Sequence, residues 1–266
     1  MRIALGLEYD GSAFCGWQTQ PAGCGVQDVL ERALSEIADH AVETICAGRT
    51  DAGVHALSQV VHFDTGTTRR ETAWVRGVNA LLPAGACALW SRQVADDFHA
   101  RFCATSRRYV YYLLNRPQRP ALLANRVGWF HASLSEDAMR RAAAHLVGTH
   151  DFSAFRAAEC QAKTPVRTLR SLEISRHDEL VRFDFVANAF LHHMVRNLVG
   201  SLVYVGAGRQ PPDWIRQVLE GRDRSKAAPT FPAAGLYFAA VEYEPRWQLP
   251  PAADTEAYER LLAEAD

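Results

Sequence analysis

The segment Cys46-Ala47-Gly48-Arg49-Thr50-Asp51-Ala52-Gly53-Val54-His55-Ala56 places a carboxylate between two glycines, with an arginine two residues before it and a histidine four residues after. Glycine adopts backbone angles that other residues resist, so Gly48 and Gly53 allow the chain to hold Asp51 forward toward a ligand. The competing reading is an Asx turn, in which the Asp51 side chain only accepts from neighbouring backbone N–H groups. A second feature bears on the choice. The stretch Leu191–Val205 is apolar almost throughout, with Met194, Val195, Leu198, Val199, Leu202 and Val203, yet it carries Arg196. A guanidinium on a buried helix requires an acidic partner. Asp51 and Asp151 are both candidates, and spacing does not separate them.

Periodicity gives the elements that must position these groups. Ile3–Tyr9 has strand character, Val26–Ala38 a helical apolar stripe (Val26, Val29, Leu30, Ala33, Leu34, Ile37), and Thr44–Ala47 and Gln59–Phe63 read as strands. Thr72–Leu82 then reads as a helix and Cys87–Val94 as a closing strand, an order βαββαβ. From about residue 100 the order recurs: strand Arg108–Leu114, helix Glu136–Val147, hairpin Arg167–Ser175 with Leu180–Ala187, helix Leu191–Val205, short helix Asp213–Glu220 and strand Leu236–Tyr243. The expected fold class is α+β: two ferredoxin-like βαββαβ halves forming a continuous, mostly antiparallel sheet, with helices on one face and a cleft between the halves. The expected domains are 1–100, carrying the Asp51 loop, and 101–266, completing the cleft. RNA-binding modules often use the free sheet face of such units, but the fold alone fixes no function.

A length of 266 residues suits two domains, and 48% apolar with 22% charged residues is the composition of a folded globular protein. No apolar run approaches the roughly 20 residues a membrane span requires, and the chain begins directly on a strand, so a cytoplasmic protein is expected. Six cysteines without a Cys-x-x-Cys pair, in a chain this long, are expected as reduced thiols. The formal net charge of −1 is unevenly spread: residues 98–135 hold six arginines and no acid, while 242–266 hold seven acids against two arginines. The basic side chains are almost all arginine, which suits bidentate phosphate contacts and lends slight support to nucleic-acid binding.

Beyond the loop, several runs are distinctive: Glu8-Tyr9-Asp10-Gly11-Ser12-Ala13-Phe14-Cys15-Gly16-Trp17-Gln18, Phe98-His99-Ala100-Arg101-Phe102, Arg107-Arg108-Tyr109-Val110-Tyr111, Asn188 through Asn197, and Gly235-Leu236-Tyr237. With Gly48–His55 they resemble the bacterial tRNA pseudouridine synthase A family, in that family's order from residue 8 to 237. The resemblance implies an isomerase that converts uridine to pseudouridine at positions 38, 39 and 40 of the tRNA anticodon stem-loop. The N1–C1′ bond breaks, the uracil turns, and C5 joins C1′; nothing is lost or gained, so no cofactor and no metal is implied. Asp51 matches the family's catalytic aspartate, a covalent nucleophile. The target base must be flipped out of its stack before a carboxylate can reach it.

By the same resemblance Arg49 and Arg69 match residues of RNA contact and base flipping, Tyr109 the aromatic against the flipped uracil, and Leu236 the opposite wall of the pocket. Arg196 matches the arginine that pairs with the aspartate. Phe98, His99, Ala100, Arg101 and Phe102 match one tRNA-holding segment, and Glu159, Cys160, Gln161, Ala162 and Lys163 another. The implied partners are tRNA and a second copy of the chain in a homodimer, with no membrane. Ala56 and Thr19 depart from the expected pattern without touching the catalytic set, and leave substrate scope slightly open.

Plainer readings apply elsewhere. His192 and His193, taken as helix residues, cannot both face one site, and His55, His62 and His99 fit no metal-ligand spacing. Gly206-Ala207-Gly208 and Gly23-Cys24-Gly25 are too short for a phosphate loop. The stripe Tyr109, Tyr111, Leu113 has strand spacing and reads as core, apart from the arginines adjoining Tyr109. The acidic carboxy-terminus reads as a solvated helix or dimer trimming. The rival function is a noncatalytic RNA-binding protein on the same scaffold; a small-molecule hydrolase would leave the arginine run and the Arg-Thr-Asp loop unexplained.

Overall fold

The computed structural model describes residues 1–255 together with Tyr258 and Arg260. In chain order the elements are β1 (Arg2–Tyr9), α1 (Val26–Ala38), β2 (Ile45–Cys46), β3 (His55–Asp64), α2 (Glu71–Leu81), β4 (Ala86–Val94), β5 (Ala104–Asn115), β6 (Gly128–Phe130), α3 (Glu136–Ala144), β7 (Gly148–Asp151), β8 (Val166–His177), β9 (Leu180–Ala187), α4 (Met194–Gly206), α5 (Trp214–Gly221) and β10 (Leu236–Tyr243). The mixed α+β class is as expected, and β1-α1-β2-β3-α2-β4 has the expected order; past residue 100 the short strands β6 and β7 interrupt the expected repeat. The very short strands β6 and β7 were not legible in the sequence, because three or four residues carry too little periodicity.

The chain divides into two compact units. The first is Met1–Thr105 with Tyr237–Thr255, and the second is built on Ser106–Leu236. The first unit therefore takes back β10 from Tyr237 onward, which the sequence reading assigned to the second half.

In the first unit the strands run β4-β1-β3, with β1 antiparallel to both neighbours. Strand β3 carries two further partners at opposite ends: β2, antiparallel at Val61 and His62, and β10, parallel at His55 and Ala56. The order β4-β1-β3-β2 is that of a ferredoxin-like βαββαβ unit. Helix α1 buries Val26, Leu30, Ala33 and Leu34 of the expected stripe together with Ala38, while Val29 and Ile37 are half-buried. Its start is fastened by the Asp28 carboxylate, which accepts from Gly25 N at 2.8 Å, and it ends where Asp39 takes a left-handed φ of 59°. Helix α2 buries Trp74 and Val78, and the Trp74 ring meets Phe63 of β3 edge-on at 5.3 Å. Each fully buried aliphatic side chain on these helices contributes about 1.5–3 kcal/mol.

In the second unit β5-β9-β8-β7 form an antiparallel run, and β6 lies parallel to β5. Helix α4 is buried over nearly its whole length. It begins three residues later than expected, because His193 takes a left-handed φ of 61° and breaks the helical path before Met194. Among the described residues no helix is long and apolar enough to cross a membrane. The expected acidic helix at the carboxy-terminus falls largely on residues outside those described.

Two expectations are corrected. Cys15 and Cys24 form a disulfide, with Cα atoms 5.4 Å apart, where free thiols were expected. The turn between them returns the chain on itself, and Cys15 N donates to Cys24 O at 2.9 Å, a proximity that counting residues does not reveal. His192 and His193 are not helix residues: they precede α4, and their rings approach to 4.1 Å, so the argument that they point apart does not hold.

Candidate active site

The Asp51 loop joins β2 to β3 within the first unit, and its backbone is pinned from both flanks. Ala47 N donates to Val60 O at 2.8 Å, continuing the strand pairing to the loop's entry. Trp17 N donates to Thr50 O at 2.9 Å, and Gly53 N donates to Gly11 O at 3.3 Å. The tyrosine-to-glutamine run of the amino-terminus, residues 9–18, is thus the second wall of the loop. A Cβ on Gly11 would stand 2.0 Å from Val54 O, so only glycine permits that approach. Gly53 takes a φ of 78°, and Val54 N closes a tight turn onto Asp51 O at 3.1 Å. Asp51 is half-buried at the apex, Thr50 before it is buried, and Arg49 is exposed.

Two neighbouring groups are set for structure rather than chemistry. Burial pushes the Cys46 thiol up to about 12, so at neutral pH it is no nucleophile. His55 is buried; its Nδ1 accepts from Gly11 N at 3.1 Å, Asp10 Oδ1 lies equally close, and its ring stacks on Tyr237 at 4.6 Å.

The segment 98–102 divides by burial. Phe98 and Ala100 are wholly buried, Phe98 against Tyr243 and Trp247, so they shape the segment and offer no surface. Phe102 is 75% exposed, with His99 against its ring at 4.2 Å and Arg101 above it at 5.7 Å. The segment is held open by two acceptor nitrogens. His99 Nδ1 accepts from Arg101 N and Phe102 N at 3.2 and 3.3 Å, and His62 Nδ1 accepts from Ala100 N at 3.1 Å. Burial, with the Arg2 charge nearby, lowers His62 to about 4 and lowers His99 as well. Both rings must stay neutral to accept.

Between pH 6.5 and about 4 the unfolded chain takes up a proton at position 62 that the folded chain refuses, so stability falls as pH falls through that window. The His62→Asn variant, whose amide oxygen can still accept from Ala100 N, is expected to lose less stability than wild type between pH 7 and 4.5 in urea unfolding. Identical losses in the two proteins would refute it.

In the second unit, Tyr109 lies on β5 with 9% of its surface exposed, its ring edge-on to Phe190 at 5.0 Å. Further along the same face Tyr111 and Leu113 are wholly buried, and Tyr111 donates its hydroxyl to Pro232 O at 2.9 Å. Leu236 is 5% exposed and is fixed by its own N–H on Ala233 O at 2.8 Å. Arg196 is half-buried in the first turn of α4 and donates from Nε to Phe231 O at 2.8 Å. A cation there sits at the positive end of the helix dipole, which strengthens its need for an anion. The Asp151 carboxylate is engaged elsewhere: Oδ1 accepts from Ser153 N and Oγ at 2.9 and 2.6 Å, and Oδ2 lies 3.4 Å from Arg222 Nε.

The 159–163 segment runs between β7 and β8, with Cys160 buried and Glu159, Gln161 and Lys163 exposed. Arg69, exposed in the first unit, leans its Nε on Ile37 O at 3.0 Å at the end of α1. Part of the arginine run is consumed inside the fold. Arg108 forms a bidentate pair with Asp184, at 2.9 and 2.6 Å, Arg182 joins the same carboxylate at 2.6 Å, and Arg116 meets Glu179 at 3.2 Å. Exposed cations in that run are Arg101 and Arg119.

The chain is similar to proteins of one family. The model of the tRNA pseudouridine synthase family matches residues 7–102 and 142–244, which takes in the Asp51 loop, Arg196 and Leu236. The chain is 59% identical over 250 residues to a tRNA pseudouridine synthase A of Thiobacillus denitrificans, covering 94% of this chain and 96% of that protein. It is 60% identical over 250 residues to that of Aromatoleum aromaticum, covering 94% and 95%, and 58% over 252 residues to that of Burkholderia vietnamiensis, covering 95% and 93%. A family match over most of the chain, with relatives near 60% identical along nearly their whole length, leaves one assignment: the chain belongs to the tRNA pseudouridine synthase family and is an isomerase acting on uridine in tRNA.

Proposed function

We propose that the chain acts at positions 38, 39 and 40 of the anticodon stem-loop, with Asp51 as its covalent nucleophile. The observation that carries the reading is Asp51 itself: a half-buried carboxylate at the apex of a loop whose backbone is pinned on both sides. Rigid backbone around a nucleophile reduces the entropy lost in reaching the attacking geometry. The uridine is flipped out of the stem, with Arg49 and Arg69 contacting the RNA and assisting the flip. The uracil lies between Tyr109 and Leu236. The Asp51 carboxylate attacks at C1′ or at C6, the N1–C1′ bond breaks, the freed base turns, and C5 bonds to C1′. The C5 proton then leaves, N1 gains one, and the carboxylate is returned unchanged, so the reaction consumes no cofactor or metal.

Arg196 is the cation proposed for Asp51. Its place at the positive end of a helix and the engagement of Asp151 with Ser153 and Arg222 support that pairing. A paired aspartate stays ionised and oriented. The first unit would carry the nucleophile loop, and the second Tyr109 and Leu236 as walls of the pocket. The protein works in the cytoplasm as a homodimer that grips one tRNA with both copies.

The test is conversion of uridine in an unmodified tRNA transcript, mapped by carbodiimide labelling and primer extension. Pseudouridine at 38–40 supports the reading. Pseudouridine confined to other positions, or binding without conversion, refutes it, and the latter outcome is that of a noncatalytic RNA-binding protein.

Arg49, Arg69, Arg101 and Lys163 are exposed and on segments assigned to the RNA, so affinity should depend steeply on salt. Each phosphate neutralised contributes a slope of about −0.7 to −0.9 in log K against log salt. Arg69→Ala is expected to shallow that slope by about one. Affinity unchanged between low and physiological salt would exclude a phosphate-tracking surface.

A further inference from the structure

We propose that Tyr9 and Gln59 form a buried positioning pair that fixes the backbone on either side of Arg49 and so sets the place of Asp51. The inference rests on the reading of Asp51 as the nucleophile. All the atoms concerned lie in the first unit. Gln59 of β3 is fully buried, Tyr9 at the end of β1 is 3% exposed, and Thr50 is 7% exposed. The Gln59 amide uses both ends: Nε2 donates to Gly48 O at 2.7 Å and to the Tyr9 oxygen at 3.4 Å, while Oε1 accepts from Val60 N at 3.2 Å. The Tyr9 oxygen receives that proton and is therefore set to donate its own to Thr50 Oγ1, 2.8 Å away. Burial raises the Tyr9 phenol above its ordinary range, so it stays protonated and able to donate.

One glutamine thus holds the carbonyl three residues before Asp51 directly, and the side chain one residue before it through Tyr9. Trp17 N holds the main-chain oxygen of that same Thr50 at 2.9 Å. With its carbonyl and its hydroxyl both fixed, Thr50 has little freedom left to pass on to the Asp51 Cα.

Stability alone does not call for this trio. Exchanging both partners of a buried hydrogen bond for apolar groups of the same shape is close to neutral in folding free energy. What an apolar exchange discards is direction, and misplacement of a reacting group by about 1 Å can cost 100-fold in rate. Tyr9 and Gln59 touch neither substrate nor reacting atoms; they act through Thr50 and Gly48.

The test compares Tyr9→Phe, Thr50→Val and the double variant with wild type in steady-state kinetics and thermal melting. Val78→Ala, a buried change on α2, serves as a stability reference. The expected result is kcat lowered about 10- to 100-fold in Tyr9→Phe with KM within about threefold, and a double variant no worse than Tyr9→Phe alone. Val78→Ala, melting lower, should keep its kcat while folded. A Tyr9→Phe kcat within twofold of wild type would overturn the proposal, as would single-variant losses that multiply in the double variant. Asp51→Asn is assayed beside them. If it turns over, the nucleophile reading itself has failed; if it is inactive while Tyr9→Phe is normal, only the positioning role falls.

Discussion

Asp51→Asn is expected to lower turnover by at least about 10⁴-fold while leaving tRNA affinity within a few-fold of wild type. The amide keeps the shape of the side chain and its capacity to accept a hydrogen bond, so the loop, pinned by Trp17, Gly11 and Val60, has no reason to move. What disappears is the negative charge that attacks carbon. A loss confined to kcat is the signature of a group used only in the chemical step. The check is single-turnover conversion of a tRNA transcript with parallel filter binding. Turnover within a few-fold of wild type would remove Asp51 from the reaction, and loss of binding in proportion to activity would make it a binding residue.

Tyr109 carries the second large effect. A ring against a flipped uracil provides stacking worth on the order of 1–3 kcal/mol, so Tyr109→Ala is expected to weaken productive binding by roughly 5- to 150-fold and to lower turnover as well. Tyr109→Phe separates ring from hydroxyl. If the phenol removes or relays the C5 proton after the carbon–carbon bond forms, the Phe variant binds normally and turns over slowly. Normal turnover in the Phe variant leaves the ring with stacking alone. With 9% exposure and its ring edge-on to Phe190, Tyr109 also has the burial of a plain core residue. A Tyr109→Ala enzyme that performs like wild type would establish that and would put the pocket elsewhere.

Most of the helices and longer strands were readable in the order of residues alone. Apolar spacing in 26–38 and 180–187 set α1 and β9 at their observed limits, because each buries one continuous stripe or face that no other register would bury. Gly48-Arg49-Thr50-Asp51-Ala52-Gly53 by itself reads equally as an Asx turn, and only the neighbouring runs, by their resemblance to a family, gave it a chemical reading. Which charges are spent depends on how the chain folds back on itself. Arg108 and Arg116 counted toward a basic surface until Asp184 and Glu179, 76 and 63 residues away in sequence, were seen to take them up. Phe98 and Ala100 belonged to a promising motif, yet burial gives the surface to their neighbours. Gln59 left a signal, a polar residue on the strand face shared with Leu57, Val61 and Phe63, but its meaning depended on Tyr9, which β1 and β3 bring together from 50 residues apart. Periodicity reports which face of an element is buried; it carries no information about which distant partner a buried polar atom will find, because that is fixed by how strands pair and loops close.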